Sequence, residues 1–391
     1  MSRPAAPLPP GEAHAQVAWL DSARGLAALT VVGSHYVNSY DLPCRSAGCS
    51  WLLSDTPLHL WWDGGAAVSL FFVLSGLVLS LRHFRHGVAP DLAGFSLGAY
   101  AVGRLCRIWL PYLAALAVSA PLYWHWQAAL PSLPATLPRM NDWLPHVWGR
   151  PAGWPELARD SFLLGMRMDM VYLPQAWTLS VELALSLLVP AGVLLAARST
   201  AWLACLSLFA IWPLGVSPFL FHFMLGIAVA KHHARLGRWL RLNPLARRVG
   251  WALGFFLYTL GETLGDEIGY ERTGWPTGLG AALLLLLAFG SERAQRLLSL
   301  PGLRQLGKLS YSLYLLHFTV LASATPPLLA LLDAPPSGLA WAWCAGLAAN
   351  LALCLAAAAL CHRFVEAPSL ALGKRLGRRL TAFAEQPRPS Q

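Results

Sequence analysis

The sequence predicts an all-α fold: a polytopic integral membrane protein of about ten transmembrane helices, with both termini cytosolic. Three observations carry that expectation. Of 391 residues, 56% are hydrophobic and 12% charged, whereas soluble domains hold about a quarter charged residues; the mean hydropathy is +0.49. Apolar runs close to the roughly 20 residues that cross a bilayer recur along the chain. The net charge of +10 is distributed between those runs as a membrane topology requires, which argues against nucleic acid as its explanation.

The runs fall at 19–38, 66–82, 107–126, 176–197, 200–214, 217–231, 249–265, 277–290, 309–332 and 339–361. The fifth, sixth and eighth are short, and 200–231 also reads as one hairpin broken at Pro213 and Pro218. Residues 1–18 read as a disordered cytosolic tail, because they lack the basic and apolar regions of a signal peptide. Residues 19–368 make the membrane domain, and 369–391 a basic cytosolic tail. The Pro- and Trp-rich stretch 127–175 is expected to form an ordered loop over the bundle.

Charge tests this topology. With the N-terminus inside, all but six of the 29 Lys and Arg lie on the cytosolic side, the exceptions being Arg45, Arg139, Arg150, Arg159, Arg167 and Arg272. Glu262, Asp266, Glu267 and Glu271 gather in one expected external loop. Positive-inside distribution is the usual mark of orientation, and it also suits anionic lipid or an anionic cytosolic ligand. Trp61, Trp62, Trp124, Trp126 and Trp177 near run ends fit interfacial anchors. Of seven cysteines, five lie in or beside apolar runs as small packing residues. Cys44 and Cys49 share a polar loop and would pair if it faces an oxidising compartment, and stay free otherwise. No Cys/His metal pattern, P-loop or nucleophile elbow is present.

Four sets of polar residues sit where lipid would penalise them. In Trp19–Tyr36, Arg24 and His35 are eleven residues apart, which is three helical turns plus about 20°. Both therefore project from one face, about 16 Å apart along the axis, and ionisable groups so placed face a bundle interior or cavity. The plain alternative is an Asp21–Arg24 pair at the interface and a self-satisfied His35. Arg104 and Arg107 share a face at the entry to the third run, where guanidinium forks suit phosphate oxygens and positive-inside flanking is the simpler reading. Glu182 places a carboxylate in the fourth run, at an expected depth near His35, where it would orient the imidazole or tie two helices together. Ser310, Tyr314 and His317 form a polar stripe best read as hydrogen bonding between packed helices. Phe71–Gly76 supplies small residues for close helix approach, and Phe364–Pro368 ends the last run.

In order along the chain, LDSARGLAALTVVGSHY (20–36), FFVLSGLVLS (71–80), RLCRIWLPY (104–112), QAWTLSVEL (175–183), LGKLSYSLYLLHF (306–318) and HRFVEAP (362–368) resemble membrane acyltransferase family 3. That family includes O-antigen and other glycan O-acetylases and some antibiotic O-acyltransferases. The resemblance implies ten core spans and an O-acyltransferase of the bacterial cytoplasmic membrane. Its donor would be cytosolic acyl-coenzyme A, most simply acetyl-CoA. Its acceptor would be a hydroxyl of a glycan, a lipid-linked sugar or a small natural product.

The family's arginine–histidine spacing falls on Arg24 and His35, its arginine pair on Arg104 and Arg107, and its W-x-L-x-x-E carboxylate on Glu182. The sequence departs from the pattern at Ser22, where glycine is usual, at Leu183, where a second Glu often follows, and at Ala367, where Arg is usual. Relatives often carry an esterase-like domain after the bundle; this chain ends soon after the tenth run, so such a step is expected to need another protein.

The resemblance thus implies that Arg24, Arg104 and Arg107 bind the coenzyme A phosphates. His35 would be the catalytic base with Glu182 as an orienting partner, or would carry the acyl group covalently, and no metal would be required. The competing class is a transporter or flippase with an ionisable pathway, against which stands the lack of paired, broken-helix halves. A purely structural membrane scaffold is the third.

Overall fold

The computed structural model describes residues 10–42, 48, 49, 51, 56–84, 89–92, 94–137, 140–268, 270–332 and 339–384. Eleven long helices carry the architecture: α1 (Pro10–Ser39), α2 (Gly64–Leu81), α3 (Leu97–Trp126), α4 (Trp177–Arg198), α5 (Thr200–Ile211), α6 (Phe219–Leu242), α7 (Pro244–Ile268), α8 (Tyr270–Phe289), α9 (Pro301–Ser323), α10 (Leu339–Cys361) and α11 (Ala367–Ala384). Among the described residues there is no strand, only an isolated bridge between Tyr40 and Met140. The all-α class is as expected, and a helix covers each of the ten apolar runs.

Among the described residues, four helical segments qualify as spans by length and apolarity alone: Gly64–Phe84, Leu97–Trp126, Pro174–Arg198 and Ala340–Ala382. The number rises to six if Gly274–Phe289 with Glu292–Leu298, bent by 101°, and Pro301–Ser323 with Thr325–Leu331, bent by 48°, each count as one. α1 is not among them because it carries Asp21, Arg24 and His35. The chain is an integral membrane protein whose bundle has an arginine end and a histidine end.

Local chemistry explains the helix starts. Asp63 caps α2 by accepting from the Ala66 amide at 2.7 Å, and Ser96 and Ser199 do the same for α3 and α5, which satisfies amides with no intrahelical acceptor. Pro111, Pro121, Pro190 and Pro276 lie inside α3, α4 and α8, as packed membrane helices tolerate.

Close packing sets the register. α1 and α9 run parallel with Gly25 against Gly307: a Cβ on Gly25 would sit 2.7 Å from the Gly307 nitrogen, and one on Gly307 would sit 2.6 Å from the Asp21 carbonyl. Ten residues on from each glycine, about 15 Å further along both helices, come His35 and His317. α2 crosses α6 just as closely, with Gly76 on the Phe223 backbone and Gly226 on that of Val73, so the small residues of the Phe71–Gly76 stretch act as expected. α3 also runs parallel to α9, with Tyr311 Oη donating to the Ile108 carbonyl at 2.7 Å, while α2 and α4 run antiparallel to these three.

Several expectations need correction. The last run does not end at Phe364–Pro368: a π-helical turn, His362–Glu366, leads into α11, which packs on α3. Pro368 lies in the first turn of α11. The buried Glu366 accepts from Ser312 Oγ at 2.7 Å and pairs with His362 at 3.0 Å. The acidic segment expected as a loop is helical on both sides of residue 269. Cys49 is disulfide-bonded, and Cys44 lies outside the described residues. Within the 127–175 stretch, the Asp160 carboxylate accepts from the Val171 and Tyr172 amides at 2.7 and 3.1 Å and from Arg167 at 3.2 Å, which ties the described residues of the loop together.

Candidate active site

Two clusters of polar side chains lie inside the bundle at different depths. At the arginine end a cavity of about 520 Å³ is walled by α1, α2, α3, α4 and α9. Arg24, Arg82, Arg104 and Arg107 all line it, against only two carboxylates, Asp21 and Glu182. Three of the arginines named from sequence are therefore brought together, and Arg82 joins them.

They are not equivalent. Arg104 is buried and held on two sides, donating to Glu182 Oε1 at 2.9 Å and to Ser186 Oγ at 3.1 Å. Ser75 of α2 donates to the same Glu182 oxygen at 3.2 Å. Arg24 pairs with Asp21 at 3.0 Å, with Asp21 half exposed. Arg107 has no ion pair or hydrogen bond from its guanidinium among the described residues, though the charges of Arg24, Arg104, Glu182 and Glu366 act on it.

The cavity closes toward the histidines at Tyr314. Its hydroxyl lies 2.6 Å from Thr178 Oγ1 and donates to the Gln175 carbonyl at 3.1 Å, joining α9 to the start of α4. One turn beyond, His35 Nδ1 lies 2.9 Å from His317 Nε2, and His317 Nδ1 lies 2.7 Å from the Tyr314 carbonyl oxygen. That network assigns the protons. A carbonyl only accepts, so His317 Nδ1 carries the hydrogen and, in the neutral pair, its Nε2 is the acceptor. His35 Nδ1 must then donate, which leaves the lone pair on His35 Nε2. Trp143 and Phe318 flank the ring at 5.5 and 5.4 Å between centroids, Trp143 coming from the ordered loop.

Glu182 is not the partner of His35. Gln175 is level with α9 through its donation to the Leu315 carbonyl at 2.8 Å, and Glu182 lies seven residues further along α4, about 10 Å toward the arginine end. Depth read from a hydropathy run misses this because the run does not encode the offset of α4 against α9. Instead the imidazole faces His317, which sequence reasoning assigned to packing. The available signal was the equal spacing from Gly25 and Gly307 to the two histidines, and it has meaning only once those glycines are known to touch.

A half-buried imidazole with an oriented nitrogen lone pair thus lies one turn past the Tyr314 latch that closes an arginine-lined cavity. Residues 17–359 match the family described as "Acyltransferase domain", and the chain belongs to that family. Comparison with curated proteins and with solved structures gave no significant match. The protein is a membrane acyltransferase.

Proposed function

We propose that this acyltransferase moves an acyl group, most simply acetyl, from cytosolic acyl-coenzyme A to a hydroxyl of a glycan or other acceptor outside the cytoplasmic membrane of a bacterium. The observation that carries the reading is the proton assignment at His35, a base with its Nε2 lone pair free, set beyond a cationic cavity suited to phosphates. Arg24, Arg104 and Arg107 bind the coenzyme's phosphates by charge-assisted hydrogen bonds, with the arginine end facing the cytosol. Glu182 positions Arg104 rather than acting on the reacting atoms.

The pantetheine arm runs past Tyr314, whose ring swings off Thr178 to admit the thioester. His35 Nε2 removes the acceptor hydroxyl proton as that oxygen forms a bond to the thioester carbonyl carbon. The C–S bond breaks, the ester is released, and the imidazolium returns its proton to the coenzyme A thiolate. During that step His317 Nε2 accepts from the charged ring and stabilises it.

Proteoliposomes given labelled acetyl-CoA and a membrane-glycan fraction test this. Label transfer is expected from the wild type, with a loss of about 10²-fold or more for His35→Ala, the lower end of what general acid–base catalysis contributes. His317→Ala is expected to lose activity, with partial rescue by His317→Gln, whose amide oxygen restores the acceptor. Normal turnover by folded His35→Ala removes the central claim. Thioester that is never consumed while a solute crosses the vesicle points to a transporter instead.

A further inference from the structure

The arginine cavity has a side chamber. A second space of about 350 Å³ adjoins it at the arginine end, and Arg82, Ala99 and Tyr100 line both. Its walls come from Arg82 and His83 just past the end of α2, from Asp91 and Phe95 in the segment leading into α3, from the start of α3, and from Thr381 of α11, so one carboxylate faces the chamber beside the arginine. Phe95 and Tyr100 form an aromatic corner, with ring centroids 5.8 Å apart and planes 50° apart. The Arg82 guanidinium carbon stands 5.4 Å from the Phe95 centroid and 6.0 Å from that of Tyr100.

Arg82 is itself oriented. Its Nε donates to His83 Nε2 at 3.0 Å, and His83 Nδ1 donates to the Asp91 carbonyl at 2.8 Å. The His83 ring meets Phe95 edge-on at 5.6 Å. The two terminal amino groups of Arg82 have no partner among the described residues. A fixed cation with free donors, beside two aromatic faces, is the chemistry that holds a purine and its phosphate: the base stacks on the rings and the guanidinium takes oxygens.

Position makes the chamber part of a track. Along α3, Tyr100 precedes Arg104 by one turn, and Arg107 lies one turn further on, about 10 Å in all. Aromatic faces, then arginines, then the Tyr314 latch, then the histidines succeed one another in one direction. We propose that the Arg82–Phe95–Tyr100 chamber binds the adenosine end of the donor, with the diphosphate extending over Arg104 and Arg107. The choice of nucleotide rests on the acyl-coenzyme A reading above.

The test is calorimetric titration of the full-length protein in nanodiscs with coenzyme A, adenosine 3′,5′-bisphosphate and 4′-phosphopantetheine. Phe95→Ala and Phe95→Leu are compared with wild type at matched melting temperatures; the leucine keeps apolar volume but removes the π face. Both are expected to weaken coenzyme A and the bisphosphate by about tenfold, the scale of one base–aromatic stack, and 4′-phosphopantetheine by less than twofold. Arg82→Ala is expected to weaken the same two nucleotides. Wild-type protein that does not bind the bisphosphate overturns the proposal, and so do Phe95 variants that bind it normally. Coenzyme A binding that depends on Arg104 and Arg107 but not on Phe95 or Arg82 leaves the donor reading standing without the chamber. Phe95-dependent nucleotide binding with no thioester turnover leaves the chamber standing and removes the donor reading.

Discussion

Gly25→Ala is the most direct test of how the helices make the site, because it adds one methyl group about 15 Å from His35. The new Cβ would stand 2.7 Å from the Gly307 nitrogen and 2.8 Å from the Leu306 carbonyl carbon. Both are backbone atoms, so no side chain can turn away. Contact needs about 3.5 Å, so α1 and α9 must part by roughly 0.8 Å. Carried along the pair, that displacement takes the 2.9 Å bond between His35 and His317 to roughly 3.7 Å, beyond hydrogen-bonding range.

Overpacking of this kind costs about 1–3 kcal/mol, and a misplacement near 1 Å at a reacting group can cost about 10²-fold in rate. The assay is label transfer in proteoliposomes beside a melting curve. Gly302→Ala, on the same helix α9 with nothing within 4 Å of its Cβ, is the control, and should be neutral or slightly stabilising. Turnover of Gly25→Ala within threefold of wild type, at an unchanged melting temperature, would refute the register argument.

Other substitutions separate the two clusters. Glu182→Ala frees Arg104 from one of its two holders, so KM for the donor is expected to rise about tenfold with kcat changed by only a few fold; steady-state kinetics that instead show a kcat loss near 10²-fold at constant KM would return Glu182 to the reacting centre. Arg107→Gln removes a guanidinium that has like charges beside it and no ion pair, so the ligand-free protein should melt higher while coenzyme A no longer stabilises it. A lower melting temperature for that variant would show that Arg107 contributes to the fold. Asp160→Ala strips two backbone amides and Arg167 of their acceptor, for a loss of about 3–5 kcal/mol read by chemical denaturation, and a change under 1 kcal/mol would mean that the loop is held elsewhere.

Much of the fold could be read from the chain because apolar runs and basic flanks report directly on helices in lipid. The shared face of Arg24 and His35 was legible for the same reason, since helical phase is a local property. The Arg104–Arg107 pair needed only three-residue spacing to be placed on one wall. What failed was depth and pairing between helices. Glu182 was assigned to His35 on similar depth, yet its partners Arg104 and Ser75 come from helices whose offsets no run length encodes. His317 was passed over for the opposite reason: a histidine among Ser and Tyr on an apolar helix has the composition of ordinary packing, and its partner is 282 residues away. Similarly, Pro368 looked like a terminator, because a proline in the first turn of a new helix and one that ends an old helix are the same letter.

The separation of the two clusters has a consequence for the order of events. Binding charge and reacting base could have shared one chamber, but then the imidazole would lie among four guanidinium groups, whose field opposes its taking a proton. The Tyr314–Thr178 latch and about one turn of helix put low-dielectric packing between them, and the nearest polar neighbour of His35 is instead a neutral acceptor on His317. On the proposed mechanism the same latch would keep water at the arginine end from the thioester carbonyl until the arm passed it, favouring the acceptor hydroxyl over hydrolysis. On the proposed mechanism an anionic donor would neutralise the surplus of arginines before its acyl group reached His35, so binding at one end would precede chemistry at the other.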